Sequence, residues 1–497
     1  MGALEQELVS YAAQKGAMLD KEALALILQN DNPMQLIDEL SRENIFLSPK
    51  LVEEYLLKSE TKLGDMEVSP ALPPSPLPLH SSENFRILNE LDVTGKSYSE
   101  GKVGDFVRFF QDKFLFIESE LKQRVNFQPK QIENISRAPK GREVQFVAML
   151  QDKKLSKNNH WILNLEDMHS AVTVLALAND PNVHEFAATL IPDEVVGVKA
   201  VKGNGDLLIV KELFRPEMPQ RMAKACAADA NLAVLSDLHV GSKLFFEKEF
   251  SNFISWFNGQ YGSEADQELA EKTKYVIIAG DNIAGLGVYP GQFEDLAIKD
   301  VYEQYKALEE FLLQIPSSIH VFVCPGQHDA VRWADPQPAI SKEFVPRLYE
   351  RENFHLIGSP SWIEIEGLKV LVYHGGALHD FYNQVAGFTP SKPQEVAVEL
   401  LKRRDLACGF GIKQPYVPEK KNYMLVRELP DLYIGGDQHH VGYAQYRGCT
   451  ILNGATFEGI TKYQIERGIK ATPCIVPVIN LKSRQISEMH YLQEEKQ

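Results

Sequence analysis

Cysteine is scarce in this chain, with Cys226, Cys324, Cys408, Cys449 and Cys474 scattered through 497 residues and no C-x-x-C pair among them. That scatter argues against a disulfide framework and fits reduced thiols in a cytoplasmic protein. Long hydrophobic runs are also missing. No apolar stretch approaches the length of a membrane-spanning helix, and the opening MGALEQELVS lacks a basic region followed by an apolar core, so neither a membrane span nor a signal peptide is expected. An excess of positive charge is the third absence: 52 Lys and Arg face 68 Asp and Glu, a net charge of −16. The mean field of such a protein repels nucleic acid, so a phosphodiester could be handled only with positive charge from bound metal, a local basic patch or a partner. What is present is ordinary for a globular protein, 44% hydrophobic and 24% charged residues, at a length that implies two or three domains.

Residues 1–58 read as a small helical docking module, with apolar residues at three- and four-residue spacing in LEQELVSYAAQKG and KEALALILQ. Asn32 and Pro33 start one helix, and Ser48-Pro49 repeats the start signal. Residues 59–84 turn rich in Pro and Ser (VSPALPPSPLPLHSSEN) and read as a disordered linker. Within 85–220, GDFVRFFQDKFLFIESELKQR forms an amphipathic helix expected to pack on the next domain. Five strand-like runs follow (VQFVAML, HWILNLED, AVTVLAL, EVVGVKAV, DLLIVKEL), with a helical insert near HEFAATLI, and suggest a five-stranded OB-type barrel. Such barrels often bind single-stranded nucleic acid, but the basic cluster of Lys153, Lys154 and Lys157 is modest. An architectural barrel and a DNA-contacting one both remain open. From 221 to 490 strands alternate with helices, which implies an α/β sandwich with its site along the carboxyl edge of the strands.

That edge collects chemistry. LAVLSDLHVGS ends a strand with Asp237 and His239, which would face one point on extended backbone. KYVIIAGDN delivers Asp281; IHVFVCPGQHDA delivers Gln327, His328 and Asp329; LKVLVYHGG delivers His374; DLYIGGDQHH delivers Asp437, His439 and His440. A glycine accompanies every set (Gly241, Gly280, Gly326, Gly375, Gly436), as needed where backbone turns beside a crowded site. Each set alone could be a turn or a satisfied histidine. Together they suit two divalent cations about 3.5–4 Å apart, bridged by one carboxylate, activating water against a phosphoryl centre. Mixed nitrogen and oxygen donors suit Mn, Fe or Zn.

In this order the motifs resemble the calcineurin-like metallophosphoesterases. Residues beyond them are similar to the small subunits of archaeal D-family DNA polymerases: EGKVGDFVRFFQDKF, DKKLSKNNHWILNLED, IPDEVVGV, GLGVYPGQ, QY at 304–305, PGQHDAVRWADPQP, LLKRRDL, PD at 430–431 and YRGCTILNGATFEGITKYQ. The resemblance covers roughly residues 90–482 and is specific. It implies a calcineurin-like sandwich preceded by an OB-fold, and a metal-dependent 3′→5′ proofreading exonuclease held to a large catalytic subunit. It places Asp237, His239, Asp281 and His439 on one metal. Asp281 bridges to a second held by Gln327, His374 and Asp437. His328 meets phosphate or the leaving 3′ oxygen, and Asp329 orients it. Three positions depart from the family pattern. Gln327 stands for Asn, Asp437 for the first His of G-H-x-H, and Asp405 for a usual His. Gln and Asp remain oxygen donors, so the first two changes could shift the site towards Mg or Mn, with His440 an alternative imidazole. They could also mark decay towards a scaffolding subunit.

Arg332 and Trp333 could touch nucleic acid or form an idle rim, and Lys402, Arg403 and Arg404 form either a solvated helix face or a phosphate track or partner surface. The expected partners are the large catalytic subunit and the 3′ end of a DNA primer strand. A sliding clamp is a further candidate, although no clamp-binding motif stands out. A free-standing small-molecule phosphatase is disfavoured by the barrel and the long accessory region.

Overall fold

The computed structural model describes residues 84–492, except 206, 408 and 467–469, together with stretches of 8–52. The Pro/Ser-rich linker and the helix expected after Ser48-Pro49 lie outside the described residues, apart from Asn84 and Val52. The chain divides into two compact units, Met1–His80 and Ser81–Gln497. In the first, helices Lys21–Ile27 and Pro33–Ser41 bury Leu24, Ile27, Leu36, Ile37 and Leu40 together. Strands β1 (Met18–Leu19) and β2 (Phe46–Leu47) pair in parallel beside them, which the helical periodicity did not predict.

In the second unit, β3 (Phe85–Ile87) precedes helix Val103–Lys122. Then β4 (Glu143–Leu155), β5 (Trp161–Glu166), β6 (Ala171–Ala176), β7 (Val195–Lys202) and β8 (Leu208–Phe214) close a barrel in the order β4-β5-β6-β8-β7. This is the expected OB-type barrel, with helix Pro181–Ala188 as the insert between β6 and β7. Alternate residues of β4 and β7, among them Phe146, Ala148, Val196 and Val198, fill its interior.

The sandwich has two six-stranded sheets. Strands β9 (Asn231–Leu235), β10 (Thr273–Ala279), β11 (His320–Cys324) and β12 (Phe354–Leu356) join β18 (Ile475–Asn480) and β19 (Ile486–His490) in the order β12-β11-β10-β9-β18-β19. Strands β13 (Ser361–Ile365), β14 (Leu368–Val372), β15 (Leu432–Gly435), β16 (Gly442–Tyr446) and β17 (Cys449–Asn453) make the other, in the order β16-β17-β15-β14-β13-β3. The edge strand β3 thus pairs with β13 from more than 270 residues upstream. Period-two alternation explains the layers. Leu232 and Val234 of β9 point into the inter-sheet core with Ile277, Phe322, Val370 and Ile434. Ala233 and Leu235 point outward, onto helices Glu247–Phe257 and Val301–Leu312. Helix Pro393–Arg403 covers the outer face of the second sheet through Val396, Leu400 and Leu401.

Helix Val103–Lys122 joins barrel to sandwich. Its Phe114, Ile117 and Leu121 pack on barrel residues Val147, Val195 and Phe214, and Phe109 reaches the sandwich core. The seam is sealed by buried charges. Arg403 Nε lies 3.2 Å from Glu194 Oε2, Arg215 Nε 2.7 Å from Glu194 Oε1, and Lys113 Nζ 2.7 Å from Asp405. Arg404 reaches Glu120 at 2.9 Å. Arg403 and Arg404 are therefore neither a solvated face nor a phosphate track. Each meets a carboxylate from a distant element, which a local charge run does not reveal. Lys402, partly exposed, pairs with Glu399 at 2.6 Å.

Candidate metal centre

The candidate residues sit where β9, β10, β11, β14 and β15 end, on loops that face one another along the carboxyl edge. Asp237 and His239 do not lie on extended backbone as expected. Asp237, His239, Asp281, Asp437 and His439 all adopt left-handed conformations, with φ between 51° and 68°. Asp and His tolerate that region better than most residues, at roughly 1–2 kcal/mol each, and such strain concentrates at functional sites. The loops are laced to hold it: Asp237 N–H donates to Gly280 O (2.9 Å), His239 N–H to Asp281 O (3.1 Å), and Asp437 N–H to Asp237 Oδ2 (2.9 Å). Two glycines are required by space. A Cβ at Gly280 would collide with the His374 imidazole, and one at Gly326 with the Asp281 carboxylate.

Three overlapping groups bring donor atoms within 4.8 Å of one another: Asp237, His239 and His439; His239, Asp281 and His328; Asp237, Asp281 and His374. Nε2 of His239 and of His439 are 3.1 Å apart, and lie 3.9 and 3.6 Å from Asp237 Oδ1. Asp281 Oδ2 is 3.3 Å from His374 Nε2 and 3.9 Å from His328 Nε2. The carbonyls of Ala279 and Ala284 accept from Nδ1 of His374 (2.6 Å) and His328 (2.7 Å), which turns each Nε2 towards Asp281. Burial would lower His374, but Asp281, Asp237 and Asp437 outweigh it and raise that imidazole well above its ordinary value. Ala284, not Asp329, therefore orients His328. Asp329 is buried behind the loop, where it accepts from Gly326 N, Asn282 Nδ2 and Tyr305 OH at 2.9–3.0 Å.

Burial drives the Asp237 carboxyl well above its ordinary range; His374 opposes this, while Asp281 and Asp437 add to it. Burial would raise Asp281 as well, but the imidazoles of His374 and His328 outweigh it and hold that carboxyl low. Burial depresses His239, and takes His439 to about 4, so both rings are neutral near pH 7.

The residues fit divalent metal. Asp237 Oδ1, Gln327 Oε1 and His374 Nε2, from three loops, are buried without a hydrogen-bond partner, a costly condition that a cation would relieve. Gln327 thus presents its amide oxygen unclaimed. Asp437 does not stand equally free. Its Oδ2 lies 3.1 Å from His379 Nε2 and accepts from Gln438 Nε2, while Oδ1 is 3.8 Å from His374. Among the described residues, neither Asp437 nor His440 joins a group with metal-binding spacing. His440 instead donates through Nδ1 to Val441 O (2.7 Å).

Sequence reasoning missed His379, Gln464, whose Nε2 is 2.9 Å from His439 Nδ1, and Glu458, which burial lifts to about 7 and which stands 4.0 Å from His239. Glu458 and Gln464 lie inside the run YRGCTILNGATFEGITKYQ, so a signal was available; His379 sits in an unremarkable helix. The centre opens into a cleft of about 560 Å³ lined also by Tyr289, Trp333, Lys413 and Lys462. Arg332 is turned away from it, paired with Glu419 at 2.8 Å.

The family of DNA polymerase alpha/epsilon B subunits matches residues 232–442, from β9 to the start of β16. The chain is similar to the DNA polymerase II small subunit of Methanocaldococcus jannaschii, at 34% identity over 82% of this chain and 69% of that one. It is likewise similar to the DNA polymerase II small subunits of Methanothermobacter thermautotrophicus (30% identity, 95% and 98% covered) and Archaeoglobus fulgidus (33%, 93% of each). These matches span barrel and sandwich alike, and the chain belongs to the archaeal D-family DNA polymerase II small subunits.

Proposed function

We propose that this chain is a proofreading subunit, a phosphodiesterase that trims the 3′ end of a DNA strand while bound to a large catalytic polymerase subunit. The observation that carries the reading is the trio of buried, unpartnered donor atoms on Asp237, Gln327 and His374. In this reading Asp237, His239, Asp281 and His439 hold one divalent cation, and Asp281, Gln327, His374 and Asp437 hold a second. Such cations, when bound, supply Lewis acidity that activates water and neutralises charge on the phosphoryl oxygens. His328, one-fifth exposed and anchored at Nδ1, turns Nε2 to the cleft to meet the phosphate or the leaving 3′ oxygen. Asp329 is a positioning residue that holds the loop from Gly326 and Asn282. The barrel serves architecture: Lys153, the centre of its basic cluster, spends its ammonium on the carbonyls of Ala187 and Ala188. Positive charge for DNA then comes from the metals, from Lys413 and Lys462 at the cleft, and from the large subunit.

A second reading, a scaffolding subunit with a residual site, is favoured by one observation, the hold of His379 on Asp437. Single-turnover trimming of a 3′-mismatched primer with Mn or Mg, with and without the large subunit, separates the two. The nuclease reading expects metal-dependent trimming abolished by Asp281→Ala. No trimming in either metal, with the polymerase complex intact, leaves the scaffold.

A further inference from the structure

We infer that the indole of Trp333 is a stacking platform for an unpaired base at the 3′ end of the strand, and so selects frayed ends over paired ones. The identity of the ligand rests on the nuclease reading above. Trp333 is 52% exposed, five residues beyond His328, and lines the same cleft as Asp281 and Gln327. Its backbone is pinned on both sides. Arg332 is held by Glu419 and by Pro336 O at 2.8 Å, and the Trp333 carbonyl accepts from Gln414 Nε2 at 3.2 Å. A fixed backbone carrying an exposed indole is an apolar surface prepared for an occupant. Gln414 and Gln327 both border Gly376, which brings this platform towards the second proposed metal position. A second ring lines the cleft near His328: Tyr289, centred 6.4 Å from that imidazole and tethered by its hydroxyl to Asp295 at 3.0 Å.

Aromatic surfaces beside cations are how proteins grip single strands without reading sequence, since every base has a π face. In a paired duplex end only the outer face of the terminal pair is open, and pairing and stacking on the other face hold that base in the helix. A mismatched or frayed end releases it, so stacking at Trp333 favours the substrate that needs trimming. Lys413 and Lys462, in the same cleft, supply cations for the adjoining phosphates.

The four tryptophans make the test direct. Trp256 and Trp362 are 0% and 2% exposed and Trp161 is half-buried, so quenching by added DNA reports chiefly on Trp333. The full chain is titrated, with Mn, with a single-stranded oligonucleotide whose 3′ linkage is a phosphorothioate, and with the matching blunt duplex. Quenching by the single strand is expected to exceed that by the duplex and to vanish in Trp333→Leu. Binding there weakens roughly five- to a hundredfold, the span produced by losing one base–aromatic stack, while Trp333→Phe retains most of it. With cleavable substrate, KM rises and kcat holds. Single-strand affinity unchanged in Trp333→Leu, or quenching only when the large subunit is added, overturns the platform. Trimming that depends on Asp281 alongside unchanged binding in Trp333→Leu sinks the platform but not the nuclease. Quenching without trimming does the reverse.

Discussion

At the seam between barrel and sandwich, Glu194 meets Arg215 and Arg403, Lys113 meets Asp405, and Arg404 meets Glu120. At the carboxyl edge of the strands, three buried donor atoms have no hydrogen-bond partner, and the Asp237 carboxyl sits well above its ordinary range. Both regions bury several charges within one compact unit. At the seam the protein completes its own ion pairs, and the result is structure. At the edge it gathers carboxylates and imidazoles, bends five of them into left-handed backbone, and leaves lone pairs open. Buried polar groups that the fold strains to assemble but does not satisfy are the physical mark of a ligand site.

Substitutions break this contrast in opposite directions. The largest effect is expected at the edge, where Asp281→Asn removes about 4 kcal/mol of transition-state stabilisation, roughly a thousandfold in trimming rate. In metal-free buffer the thermal midpoint of Asp237→Asn is expected to hold or rise, because burial, Asp281 and Asp437 drive that carboxyl well above its ordinary range and the amide carries no charge to bury. At the seam the signs reverse. Arg403→Met takes one of two cations from Glu194 and from Glu399, leaving Arg215 and Lys402, and is expected to lower unfolding free energy by about 3 kcal/mol, read by urea denaturation, with trimming per folded molecule unchanged. A smaller effect lies within the edge itself. His379→Ala frees Asp437, and the second Mn is expected to bind about tenfold tighter by titration calorimetry; weaker binding would mean that His379 supports that position.

The smallest effect is in pH. Burial would raise Glu399, but Arg403 and Lys402 outweigh it and hold its carboxyl at about 2. A folded pKa below the ordinary carboxyl value means that this group's stabilising contribution is whole above the ordinary value and is lost as pH falls towards 2. The wild type is therefore expected to lose thermal stability progressively below about pH 4.5, and Glu399→Gln to show a shallower loss.

Much of the edge was legible in the sequence because strand-end chemistry is local. An apolar run followed by Asp237-Leu238-His239, Gly280-Asp281 or His374-Gly375 announces both the strand and the donor. The barrel was legible from strand spacing. The seam was not, since Lys402-Arg403-Arg404 looks like any solvated basic run until Glu194 and Glu120 arrive from the barrel side. Nor was the pairing of Phe85–Ile87 with β13, a partnership across the whole barrel. The role expected of Asp329 went to a carbonyl, Ala284 O, because a backbone acceptor carries no sequence signature. His379 stayed hidden for a related reason: its partner, Asp437, lies 58 positions away.

The central claim is that the open donor atoms at the edge are metal ligands. It is tested most directly by anomalous diffraction from crystals of the full chain soaked in Mn. The account predicts two peaks that share Asp281, one beside His239 and His439 and one beside His374 and Gln327. A map with no anomalous density at Asp281 would contradict it.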